Sequence, residues 1–105
     1  RNNNFRKAFA LAYKTNADFY AVPGYDAAQI LAAGLNAVKG DLTKRAALTA
    51  AMRKTGADSP RGKFTISAAG NPVQDMYLRE VKGHNNELRG IAVKALADPA
   101  TGCSM

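Results

Sequence analysis

The side chains able to support catalysis or metal binding are few: one histidine, His84, one cysteine, Cys103, and eight carboxylates. His84 lies in the polar stretch Gly83-His84-Asn85-Asn86, which reads as a turn. A lone histidine makes no zinc site without further ligands at the right spacing, so its plain reading is an exposed turn residue. The carboxylates are Asp18, Asp26, Asp41, Asp58, Asp75, Glu80, Glu87 and Asp98. No two of them stand three or four apart on one predicted helix, and they form no calcium-loop pattern. Ser59, Ser67 and Ser104 fall in or beside turns. No nucleophile elbow, phosphate loop or dinucleotide fingerprint surrounds any of them. Cys103 has no second cysteine and forms no internal disulfide. These residues argue against a self-contained enzyme and against a bound metal or cofactor.

The aromatic cluster Phe19, Tyr20 and Tyr25 around Pro23-Gly24 is better suited to binding. It falls where the short, β-prone stretch 19–22 is expected to run extended into a helix N-terminus. Helix N-termini expose backbone N–H groups and the positive end of the helix dipole. An aromatic ring beside them offers a flat apolar wall with a hydroxyl at its edge. The competing reading is that the rings only pack the helix onto its neighbours.

Three helices and a small sheet must position these residues. Phe5, Ala8, Phe9, Ala12 and Tyr13 recur with helical spacing and predict a helix over 4–14. Ala27, Ala28, Ile30, Leu31, Gly34, Leu35 and Val38 form a broad apolar stripe and predict a second helix over 24–39, closed by Gly40. Asp26 would lie in its first turn, facing the helix dipole. Gly34 costs such a helix about 1 kcal/mol relative to alanine, which points to close packing at that position. Asp41 is expected to cap a third helix over 42–55, ended by the turn residues 56–60. Phe64 and Ile66 alternate with Lys63 and Thr65, giving a strand over 62–67. A turn at 68–72, a strand over 73–82, a reversal at 83–86 and a weaker strand over 88–93 containing Gly90 complete the sheet. Residues 95–105 read as a tail.

With 105 residues and 47% apolar side chains, the chain is one domain or part of one. No charged region followed by an apolar stretch opens it, so a signal peptide is not expected within it. The net charge is +7 and the pI about 9.9. Such a balance favours acidic partners, but the basic residues are scattered and never run longer than two. Scatter of this kind predicts solvated helix faces. Tyr77 and Arg79 on one strand face, with Lys63 nearby, keep open an alternative: a small basic nucleic-acid-binding α+β domain.

Five short motifs occur in order: Ala12-Tyr13-Lys14, Tyr25-Asp26-Ala27, Gly62-Lys63-Phe64, Gly70-Asn71-Pro72, and Tyr77 followed by Val81-Lys82-Gly83. In order and spacing they resemble the C-terminal region of the extracytoplasmic solute-binding proteins of ABC importers, in the branch that binds branched-chain and related amino acids. The resemblance covers residues 5 to 94. It implies an α/β chain that is a fragment of the two-lobed type I periplasmic-binding fold, with about three helices followed by a small, mostly antiparallel sheet of two to three strands. Residues 1–94 would be the C-terminal segment of a solute-binding domain and contribute to both lobes, with 95–105 as tail. The Tyr-Asp-Ala helix would belong to the first lobe near the cleft, and the following helix and strands to the second.

The resemblance further implies a periplasmic, non-enzymatic protein. It would close around an amino acid or a small, possibly aromatic, organic acid and deliver it to an ABC permease in the membrane. Tyr25 is the expected ligand contact, with Val22, Pro23 and Gly24 as wall or backbone contacts. Gly70-Asn71 stands where Gly-Asp is common in the family, and 14–25 is shorter than in many relatives. The family's main contacts to a ligand's carboxylate and ammonium come from earlier segments. The apolar helix faces therefore require the missing remainder of the chain, or a second copy, to cover them. Nucleic acid is not an expected partner. A remaining rival, an enzyme subunit whose site forms between chains, would need His84 or a carboxylate in a shared cleft.

Overall fold

The computed structural model describes residues 2–101. The chain divides into two compact units, Arg1–Thr65 and Ile66–Met105. The first holds α1 (Asn2–Tyr13), α2 (Ala21–Ala37), α3 (Arg45–Lys54), β1 (Ala57–Ser59) and nearly all of β2 (Gly62–Ile66); the second holds β3 (Pro72–Lys82) and β4 (Asn85–Leu96). Each hairpin is antiparallel. Among the described residues the strands number four, not two to three as the sequence suggested.

The extra strand is β1. Its segment, Gly56 to Pro60, has the composition of a turn, yet Ala57 pairs directly with Phe64 across a hairpin closed by Pro60 and Arg61. Both partners are buried, at 3% and 6% exposure. Burial of that pair, not local propensity, makes the strand. Gly56 is needed beside it, because a Cβ there would collide with the carbonyl oxygen of Phe64.

The start of α2 also differs from expectation. Residues 19–22 are not extended; the helix begins at Ala21. Asp18 explains the earlier start, since its Oδ1 accepts the N–H groups of Tyr20 and Ala21, both at 2.9 Å. Pro23 then falls in the first turn, where its missing N–H costs nothing. Asp26 moves into the second turn and is buried. The far end follows expectation: Gly40 at φ 76 donates its N–H to the Leu35 carbonyl at 2.9 Å.

The helix α3 is shorter than its sequence predicted, because Asp41 shapes the turn before it. Asp41 Oδ1 accepts from the Thr43 N–H at 3.1 Å and from its hydroxyl at 2.6 Å. These bonds, with Lys44 at 3.3 Å, hold the Asp41 carboxyl below its ordinary pKa. Packing of α3 on α2 is close at Gly34: a Cβ built there would lie 2.5 Å from Met52 Cγ and 3.0 Å from Leu48 Cδ1.

In the second unit a two-residue loop, Gly83-His84, joins β3 to β4, and His84 is exposed as expected. The ladder shifts register at three places, which lets β4 pass through Gly90 and reach Leu96, two residues into the predicted tail. Near the end of β4 the Asp75 Oδ1 accepts the Ala95 N–H at 2.8 Å. Asp98 Oδ2 accepts from Asn71 Nδ2 at 2.6 Å, tying residues after β4 back to the 67–71 turn. Cys103 and Ser104 lie outside the described residues. Among the described residues no helix is long and apolar enough to cross a membrane.

Candidate functional site

Three aromatic residues spaced four apart, Phe5, Phe9 and Tyr13, share one face of α1, as i, i+4 spacing on a helix requires. Their rings form a tilted series, with centroids 5.9 Å apart for Phe5 and Phe9 and 4.6 Å for Phe9 and Tyr13. Tyr25, at the start of α2, extends the series: its ring centre lies 5.0 Å from that of Phe5. Offset, tilted pairs at such distances are favourable beyond the area they bury. Asp58, in the middle of β1, and Pro60, in the turn after it, also line this surface. The groove between these elements has a volume of about 490 Å³.

Behind this groove lies a buried polar network. Asp26 is 3% exposed and Ser59 fully buried. The Ser59 hydroxyl donates to Asp26 Oδ2 at 2.8 Å, and Arg61 Nη2 reaches the same oxygen at 3.4 Å. The Arg61 N–H in turn donates to Ser59 Oγ at 3.1 Å. A buried carboxylate is tolerated only when paired and hydrogen-bonded in this way.

The expected cluster of three aromatics separates into two. Phe19 and Tyr20 meet edge to face, 5.6 Å between centroids, and are 71% and 79% exposed. Tyr25 belongs instead with Phe5. Of the four residues expected to contact a ligand, Tyr25 lines the groove; Val22 is half-buried, and Pro23 and Gly24 are exposed, on the first turn of α2 beside it. The start of that helix is a poorer anion site than its sequence suggested. Asp18 already takes the Tyr20 and Ala21 N–H groups, Pro23 has none, and the Gly24 N–H donates to the Tyr20 carbonyl at 3.5 Å. What α2 presents at this end is apolar and aromatic surface.

Phe5, Phe9 and Tyr13 entered the sequence reading only as an apolar face, although three aromatics at intervals of four are a visible signal for a stacked series. The Asp26–Ser59 bond spans 33 residues, and no local pattern announces it. Among the described residues, no group of three or more His, Cys, Asp or Glu could hold a metal ion.

The sequence pattern of the periplasmic binding protein family matches residues 1–86. This chain belongs to that family. A solved structure similar to it is a solute-binding protein of an ABC transporter from R. palustris, in complex with benzoate. The two are 50% identical, with a TM-score of 0.91, over 98% of this chain. The chain spans 29% of the length of that relative. Among curated proteins none matches. The three helices and antiparallel strands are therefore a fragment of a periplasmic-binding fold, and the nucleic-acid alternative finds no support in these relatives.

Proposed function

We propose that this chain is the C-terminal portion of the extracytoplasmic, periplasmic solute-binding component of an ABC importer. It captures a small aromatic organic acid between two lobes and presents it to a membrane permease, without catalysing a reaction. The observation that carries this reading is the 50% identity, along nearly the whole chain, to a solute-binding protein that holds benzoate. An aromatic acid is the finer choice over an aliphatic amino acid because of that ligand. The aromatic surface at the start of α2 agrees with it, since flat rings pack well against flat rings.

In this reading Tyr25 contacts the solute, with Val22, Pro23 and Gly24 completing the wall. The segment 1–94 contributes to both lobes. The rest of the polypeptide supplies the cationic groups that hold the carboxylate and covers the apolar faces left open on α1 and β4. Solute contacts to both lobes favour the closed state, which is the form a permease would recognise.

The test is a thermal-shift and calorimetric comparison of the full-length polypeptide with benzoate and with leucine. At one hundred times its Kd a ligand stabilises the folded state by about 2.7 kcal/mol, so a binder raises Tm measurably. Benzoate should raise it and bind at one site, and leucine should leave it unchanged. A shift with leucine and none with benzoate would move the solute class to amino acids; no shift with either would remove the solute-binding reading of this surface.

A further inference from the structure

The Asp26–Ser59 hydrogen bond joins α2 to β1 at residues adjacent in sequence to three that line the aromatic groove, Tyr25, Asp58 and Pro60. Asp26 follows Tyr25 on α2, and Ser59 lies between Asp58 and Pro60. The bond is 2.8 Å long and buried at both ends. Arg61 bridges the same carboxylate oxygen and, through its backbone N–H, the same serine oxygen. Moving α2 relative to β1 at this point therefore requires breaking a buried, charge-assisted network, and bonds of that kind are among the stronger ones in a protein.

We propose that Asp26 is the positioning residue of this surface: through Ser59 and Arg61 it fixes the place of Tyr25 relative to the β1 turn, and so sets the shape offered to a solute. Asp26 touches no solute itself. Its effect on affinity rests on the reading of Tyr25 as a solute contact; its effect on Tyr25 does not. The Asp26–Ser59 bond is a buried side-chain hydrogen bond linking α2 to β1. The ring contact between Phe5 and Tyr25 ties Tyr25 to α1, a helix with no buried residue.

The experiment uses the full-length polypeptide with tyrosine rings isotopically labelled, the Tyr25 resonance being assigned by its loss in Tyr25→Phe. Asp26→Ala should displace the Tyr25 resonance and weaken benzoate binding about tenfold, the scale of one lost charge-assisted bond. Asp26→Asn keeps an acceptor for the Ser59 hydroxyl and should restore the resonance and most of the affinity. Adding Ser59→Ala to Asp26→Ala should displace the Tyr25 resonance no further, because the bond between the two residues is already lost. If Asp26→Ala does not fold, Ser59→Ala alone carries the same readouts. A displaced resonance with unchanged affinity upholds the positioning role and removes Tyr25 from the solute site. An unmoved Tyr25 resonance in the folded variants, with only Tm lowered, would overturn the proposal.

Discussion

Residues before Ile66 and residues after it are built on different physical terms. The first unit has a core, small but real: Val38, Ala57 and Phe64 are buried, together with Gly34, Asp26 and Ser59. The second has no buried residue among those described. It is a long two-stranded ribbon held by its ladder, by Arg89 paired with Glu80 and Glu87, by Lys82 with Glu87 at 3.4 Å, and by Asp75 on the Ala95 N–H. Leu78, Val81 and Leu88 are each more than half exposed there. A ribbon alone is marginally stable in water, because paired backbone exchanges water bonds for protein bonds at little net gain. The contrast teaches where the absent part of the protein matters most. The first unit buries apolar side chains of its own; the strands β3 and β4 leave theirs exposed among the described residues.

The largest break in that contrast is Phe64→Ala. It empties the centre of the first unit and removes the partner of Ala57, so a loss of about 3–5 kcal/mol is expected. Chemical denaturation measures it, and peptide-resolved hydrogen exchange sharpens it. Amides of β1 and of α2 should lose protection. If those of β3 and β4 lose as much, the two units are one cooperative structure and the contrast fails.

Gly34→Ala comes next. Alanine improves helix propensity by about 1 kcal/mol, but its Cβ would intrude on Met52. Overpacking costs about 1–3 kcal/mol, so the net effect should be destabilising. In a Met52→Ala background the same substitution should cost less, since the 2.5 Å contact is gone and Leu48 Cδ1 at 3.0 Å is what still crowds the added Cβ. A stabilising single variant would show that the contact between α2 and α3 yields to an added methyl group.

The close contact at Gly34 was legible in the sequence as a glycine that a helix would not otherwise choose. So were the amphipathic face of α1, the cap at Gly40 and the alternation of β2. Each depends on residues near one another along the chain. The features that were not legible depend on distant partners or on a side chain reassigning a boundary. Asp18 moved the start of α2 by binding two N–H groups; a single aspartate before two aromatics carries no signal of that kind. Strand β1 came from burial against Phe64 in a segment composed like a turn. Tyr25 was singled out in the sequence and lines the groove, but its neighbours there, Asp58 and Pro60, come from a segment composed like a turn that no local pattern marks.

In the ribbon the corresponding break is Arg89→Ala. Glu80 and Glu87 face each other directly across the strands, a like-charge pair that Arg89 offsets. All three side chains are close to half exposed. Exposed pairs contribute about 0–1 kcal/mol, and salt screens them. The expected loss is within that range, local to the ribbon, and smaller at high ionic strength. A loss independent of salt would mean the arginine acts through packing of its stem.

The smallest effect expected lies in the first unit and limits the contrast to packing alone. Asp41 is partly exposed, and its pKa is lowered from 3.8 chiefly by the Thr43 hydroxyl, then by the Thr43 N–H and Lys44. A carboxyl whose folded pKa is depressed binds its proton more weakly in the folded state than in the unfolded one. Its contribution is therefore fully present above 3.8 and is lost as pH falls below that value through the folded pKa. Thr43→Val removes the hydroxyl donor, so the Asp41 resonance followed by NMR should titrate closer to 3.8 than in the parent. Stability at neutral pH should change little, because an exposed hydrogen bond is exchanged for one with water. If Thr43→Val instead cost as much as Gly34→Ala, exposed polar contacts would matter here as much as buried ones. The ribbon could then be stable on its ladder and ion pairs, with no need of further surface.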